Sequence, residues 1–203
     1  YRFAPAMEIT DPEKRILQAA RKVFEVDGFG GARMQRIADE AGISKASLHY
    51  YFRSKEKLFD KIFDEYMERI IPLFSTWHDD SDEWQPKVRR YMEDLMLVFR
   101  DTSMLFLIQE MRRDPVKLEM QLAAKRKKPN AFVAYYERLR KDGLVRDTDP
   151  RVFALAMHAL CAYPYMNEPM MCGALRLKPS EYHDFLVPYV EQAAEIMIRS
   201  MKK

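Results

Sequence analysis

The chain has 203 residues, of which 48% are hydrophobic, and a net charge of +3; a chain of this size buries roughly 70% of its unfolded surface, so it can build a substantial core. No run of ~18 uncharged apolar residues is present, which argues against a membrane-spanning helix. Two cysteines, Cys161 and Cys172, make no disulfide framework, and the opening residues YRFAPAMEITDP lack the apolar stretch of a secretory signal, so a reducing cytoplasm is the expected compartment.

Six glycines and few β-branched runs predict helices throughout. The first begins at Thr10-Asp11-Pro12-Glu13. There Thr10 and Glu13 read as a capping box, or Asp11 caps and Pro12 takes the first helical position. Ile16, Ala20, Val23 and Phe24 form its apolar stripe, and Gly28 ends it. A short second helix carries Ile37, Ala38 and Ala41 on one face. Gly42 then supplies the left-handed residue that stops it, and Ile43 is an apolar plug in the turn. Ser44 caps a third helix, from Lys45 to about Tyr51, which turns Leu48 and Tyr51 inward. The fourth starts after Ser54 and runs to about Phe74, with Leu58, Ile62, Phe63, Tyr66 and Ile70 along one side. The first helix is expected to pack across the second and third. At ~1.5 Å per residue the fourth is long enough to serve as a strut to a second domain.

Five further helices are expected. One spans Trp84 to Arg100, with Val88, Tyr91, Leu95, Val98 and Phe99 inward. After a break at Asp101-Thr102-Ser103 a second covers Met104 to Arg113. A third follows Asp114-Pro115, kinks near Pro129 and stops at Asp142-Gly143. Asp149-Pro150 opens the next, with Phe153, Met157, Leu160 and Cys161 on one side; an irregular segment is then expected from Tyr163-Pro164 through Gly173. Pro179 opens the last helix, with Phe185, Tyr189, Ala193, Ile196 and Met197. No internal repeat or low-complexity tract interrupts this order.

The second and third helices, joined by a short turn containing Gly, have the spacing of a helix-turn-helix, the geometry that sets a second helix into a DNA major groove. Lys45, Ser47, His49 and Tyr50 share the face of the third helix opposite Leu48. Bulk charge alone does not suggest DNA. Between Asp11 and Asp60, ten Lys or Arg stand against eight Asp or Glu, so phosphate binding must come from the placement of a few charges and backbone amides.

The run IADEAGISKASLHYYFRSKEKLF resembles the signature of the TetR family of bacterial transcriptional regulators, close to I-A-x-x-A-G-V-S-K-G-T-L-Y-Y-H-F-x-S-K-E-x-L. Ile37, Ala38, Ala41, Gly42, Ser44, Lys45, Leu48, Tyr50, Phe52, Ser54, Lys55, Glu56 and Leu58 match it. Ala46 and Ser47 replace a frequent Gly-Thr pair, His49 a frequent Tyr, and Arg33 a frequent capping Thr. The resemblance covers about residues 11–58. It implies an all-α protein of about nine helices: an N-terminal three-helix helix-turn-helix domain, residues 8–57, and a C-terminal helical effector-binding and dimerisation domain, residues 58–203. It further implies that the last two helices make a homodimer, and that Lys55 contacts a backbone phosphate near the start of the fourth helix, where free amides also favour an anion.

The expected DNA-contacting residues are therefore Arg33, Gln35, Arg36, Ser44, Lys45, Ser47, His49, Tyr50 and Lys55, on double-stranded DNA carrying a palindromic operator. A neutral His49 imidazole can donate to or accept from a base edge. In the second domain Met and aromatic side chains are dense. Such a stripe is ordinarily core, yet 14 Met suit a pocket that repacks around varied apolar shapes. Phe99, Met104, Gln109, Phe132, Tyr136, Met157, His158 and Cys161 are the expected effector-lining positions, for a small hydrophobic or aromatic molecule. Metal ligation is not expected, since His78, His158 and His183 are scattered and the cysteines lack a paired motif, and no cofactor is implied. The basic run Lys125 to Lys128 reads as a solvated helix end. No nucleophile elbow, phosphate loop or metal motif points to an enzyme. The expected function is a ligand-responsive repressor; the alternative is a protein of the same fold governed by a protein partner or a nucleoid role, without a small effector.

Overall fold

The computed structural model describes residues 11–78, 81–100, 116 and 131–203. Among them are nine α-helices: α1 (Pro12–Gly31), α2 (Met34–Glu40), α3 (Lys45–Tyr51), α4 (Lys55–Ile70), α5 (Trp84–Arg100), α6 (Ala131–Lys141), α7 (Pro150–Met166), α8 (Glu168–Leu175) and α9 (Pro179–Met201), with a 3₁₀ turn at Ile71–Trp77. No strand occurs among the described residues; Val145 and Lys202 make an isolated antiparallel bridge. None of the described helices is long and apolar enough to cross a membrane. The expected helix from Met104 to Arg113, the kink at Pro129 and the basic run at Lys125 lie outside the described residues. The described chain divides into two compact units, one ending at Glu65 and the other beginning at Tyr66.

In the first unit the helices are started and stopped by their own residues. The Asp11 carboxylate accepts from the Glu13 amide at 3.0 Å, with Pro12 in the first turn. Gly28, at φ 65°, kinks the end of α1. After α2 the Gly42 amide donates to Asp39 O (3.1 Å) and the Ile43 amide to Ala38 O (3.0 Å), the paired bonds of a Schellman stop, with Gly42 at φ 65°. The Ser44 hydroxyl accepts from the Ser47 amide at 3.0 Å and starts α3. Ile16, Ala20 and Phe24 of α1, Ile37 and Ala38 of α2, Leu48 of α3 and Leu58 of α4 are fully buried together. A row of rings, Phe24–Phe29–Phe59–Phe63, with centroids 5.7 to 6.2 Å apart, joins α1 to α4.

Two expectations change here. Tyr51 is 42% exposed, whereas Phe52 is buried: α3 ends at Tyr51, and the extended backbone of Phe52 (φ −134°, ψ 110°) swings its ring to the core instead. The fourth α-helix ends at Ile70, short of Phe74. Pro72 disfavours helical geometry at Ile71, so the chain tightens into a 3₁₀ turn.

In the second unit α5 packs against both α7 and α9, and α6 against α7 and the 3₁₀ turn. Val88, Tyr91, Met92 and Leu95 of α5 are fully buried. The α6 stop is another Schellman pair, Gly143 N–H to Arg140 O (3.0 Å) and Leu144 N–H to Leu139 O (2.9 Å). The expected irregular segment from Tyr163 to Gly173 is instead helical: α7 continues through Pro164 to Met166, and α8 follows. A proline inside a helix strips the carbonyl four residues earlier of its donor. Here the Tyr189 hydroxyl of α9 donates to that carbonyl, Leu160 O, at 2.9 Å, and the Tyr182 hydroxyl donates to Pro164 O at 3.1 Å.

Candidate nucleic-acid interface

α3 is seven residues long and its single buried side chain is Leu48. Because one side chain anchors the helix, the rest of its circumference is exposed. Lys45, Ser47 and His49 are open, and Tyr50 is 84% exposed with its ring edge-on to Tyr51 at 5.4 Å. The surface therefore offers one cation, one hydroxyl, one imidazole and one phenol on a short, rigidly capped helix. This set can read donor and acceptor patterns on base edges. Ser44, already accepting the Ser47 amide, keeps its hydroxyl hydrogen free to donate.

The neighbouring polar residues divide by what already holds them. Arg33 precedes α2 in an extended conformation, exposed and without a capping bond. Gln35 donates to the Asp39 carboxylate at 2.8 Å, within α2. Arg36 is paired with Asp27 of α1, so its charge is partly neutralised where it stands. Lys22 and Glu40 make a second α1–α2 pair at 3.1 Å. The Lys55 ammonium, expected beside a phosphate, sits on backbone carbonyls of Phe29 (2.8 Å), Gly30 (3.3 Å) and Ala32 (3.4 Å). Sequence reasoning passed over Arg53, which is exposed between α3 and the first turn of α4. The signal for it was a cation directly before Ser54, whose hydroxyl accepts the Lys57 amide at 3.4 Å.

The expected effector positions lie in the second unit. Phe99, Phe132, Tyr136, Met157 and Cys161 are buried and His158 is half-buried, while Met104 and Gln109 lie outside the described residues. Several are brought together around a ring that sequence reasoning missed, Trp77. Its centroid is 4.9 Å from that of Phe132 and 5.1 Å from that of Tyr91. Phe132 continues to Tyr136 (5.9 Å) and Tyr136 to Phe153 (5.2 Å). His158 joins from the other side. Its Nδ1 meets Ala154 O at 2.8 Å and so carries the hydrogen; in the neutral ring Nε2 then accepts from the Tyr91 hydroxyl at 3.2 Å. Burial holds the Tyr91 hydroxyl far above its usual range, neutral at any working pH. Burial likewise pushes the Cys161 thiol up to about 12, and its Sγ lies 3.7 Å from Met92 O, so it is packed as a core thiol. The Trp77 indole N–H is buried and has no acceptor among the described residues. No group of three His, Cys, Asp or Glu side chains converges as a metal site among them.

Residues 16–62 match the sequence model of the bacterial regulatory proteins of the tetR family. The HTH-type transcriptional regulator RutR of Escherichia coli K12 is 29% identical over 114 residues, covering 55% of this chain and 53% of RutR; the chain spans about half the length of the curated relatives it matches. A transcriptional regulator of Streptomyces coelicolor superposes with a TM-score of 0.63 at 20% identity, covering 94% of this chain and 98% of that one. AibR, solved in complex with isovaleryl coenzyme A and operator DNA, superposes with a TM-score of 0.60 at 20% identity, covering 87% and 96%. At these identities the superpositions establish a shared fold.

Proposed function

We propose that this chain, whose residues 16–62 match the tetR family model, is a transcriptional regulator of that family that binds a palindromic operator as a dimer and is released by a small, apolar or aromatic effector. The observation that carries the DNA reading is α3 itself, fixed through Leu48 and capped by Ser44, with Lys45, Ser47, His49 and Tyr50 all outward. Two copies would set α3 into successive major grooves about one helical turn apart. Arg33 and Arg53, with a share from Gln35 and Arg36, would hold the phosphates on either side. The DNA-binding domain corresponds to residues 8–57, the effector and dimer domain to residues 58–203, and the compartment is the cytoplasm, where operator DNA lies.

Dimerisation through α7 and α9 is supported by apolar side chains left open on both. Val152, Leu155 (72% exposed) and Tyr163 line one side of α7; Phe185 and Ile196 (60% exposed) stand three turns apart on α9. Large apolar side chains left exposed on two helices that pack together suit an interaction face. The effector reading rests on the ring cluster around Trp77, where an indole N–H without an acceptor among the described residues suits a ligand with an oxygen acceptor beside its apolar body. A coupling of about 1–3 kcal/mol between effector and operator suffices for switching, and α4, with residues in both units, is the lever.

The test is selection of bound fragments from randomised duplex DNA at about 150 mM salt, then screening of compounds for release of the winner. A palindrome bound about 10³-fold or more above competitor DNA is expected. Weak, sequence-indifferent binding would sink this reading in favour of a protein-partner role.

A further inference from the structure

Lys55 opens α4, and its side chain reaches back to the end of α1. Its ammonium has three hydrogens and no capacity to accept, and it meets three carbonyls, those of Phe29, Gly30 and Ala32, at 2.8, 3.3 and 3.4 Å. Those carbonyls follow the Gly28 kink, in the short turn that closes α1, where the last peptide groups lack intrahelical donors. The ammonium also lies 4.7 Å from the centroid of the Phe29 ring, a favourable cation–π position. That ring is locked between Phe24 and Phe59, each 5.7 Å away. Ala32 immediately precedes Arg33, from which α2 starts. One side chain therefore ties the first turn of α4 to the corner from which the helix-turn-helix hangs.

A phosphate contact would require this ammonium to leave the three carbonyls that surround it. We propose that Lys55 is a positioning residue for the reader: it sets the angle at which α2 and α3 leave α4 and does not itself neutralise a phosphate. This rests on the DNA-binding reading and goes beyond it by assigning how the reader is oriented.

Two measurements test it. In the first, the intact, DNA-free protein is pulse-labelled with acetic anhydride and its lysines are followed by mass spectrometry. Lys55 is expected to label much more slowly than the exposed Lys45, with no further protection from DNA. Labelling as fast as Lys45, followed by protection when DNA binds, would overturn the proposal. The second compares wild type with Lys55→Met on the selected operator across a salt series. Methionine keeps the unbranched stem against Phe29 and removes the charge. The variant is expected to bind roughly tenfold more weakly at every salt concentration. Its log K against log salt slope should be unchanged, and its discrimination against half-sites displaced by about one base pair reduced. A slope shallower by about 0.9 marks a lost phosphate contact; that result, or unchanged affinity, overturns the proposal. If Lys55→Met loses its helical circular dichroism, the labelling result decides. If wild type selects no operator, the regulatory reading fails while labelling still judges the clamp.

Discussion

The two units handle helix ends in different ways. In the first, the starts of α1 and α3 and the stop of α2 are local: Asp11 bonds two residues on, Gly42 closes α2 with bonds to Asp39 and Ala38, and Ser44 bonds three residues on; the end of α1 draws on a distant side chain, Lys55. In the second, α7 runs through a proline, and the donor that replaces its missing N–H comes from α9, Tyr189 to Leu160 O, with Tyr182 of the same helix bonded to Pro164 O. The first unit presents a short exposed helix, α3, whose two ends are set by neighbours in sequence. The second is held by long-range hydroxyl–carbonyl bonds and a ring cluster around Trp77.

The comparison breaks most visibly at Leu48. As the one buried residue of α3, its replacement in Leu48→Ala is expected to cost about 2–5 kcal/mol. Amide exchange should become fast through α2 and α3 first while α5 and α7 keep their protection, and operator binding should be lost. Exchange rising equally in both units would mean that they unfold as one.

A smaller effect sharpens the second half of the contrast. Tyr189→Phe leaves Leu160 O without its donor, a loss of about 1–3 kcal/mol by urea unfolding. In a Pro164→Ala background the restored backbone N–H takes that carbonyl, so the same Tyr189→Phe change should cost markedly less. Equal costs in both backgrounds would show that Tyr189 stabilises by packing alone.

The smallest effect lies at the start of α7. Asp149 caps that helix and is held down to about 2, chiefly by the Arg151 side chain hydrogen-bonded to it and then by the Arg151 amide. A carboxyl depressed on folding contributes stability that is complete above its usual range near 4 and is lost as pH falls toward about 2. The first turn of α7 should therefore fray below pH 4, with the Asp149 carboxyl resonance titrating late. Titration at an ordinary carboxylate value would remove the cap from the account.

Much of the first unit was legible because its signals are short-range. The Gly42 stop, the Ser44 cap and the alternation of Leu48 with Lys45 and His49 are visible within ten residues, and the match over residues 16–62 falls on this stretch. The starts of α5 at Trp84, α7 at Pro150 and α9 at Pro179 were legible for the same reason. What the neighbourhood conceals is which polar groups are already employed. Arg36 reads as a free cation until Asp27 is seen beside it, and Lys55 reads as a phosphate ligand until the α1 carbonyls are seen around its ammonium. Trp77 stands in a proline-broken stretch with no periodicity to mark it, yet it is the hub of the ring cluster.

The helical class, the helix-turn-helix and the outward face of α3 were fixed locally, because hydrophobic spacing, a left-handed glycine and a capping serine act over one or two turns of chain. Only the fold shows that α7 continues through Pro164, that Phe52 and not Tyr51 enters the core, and that the Lys55 ammonium meets the carbonyls at the end of α1. Each of those outcomes depends on a donor, a ring or a carbonyl supplied from a distant part of the chain, and no local pattern records where such a partner will be.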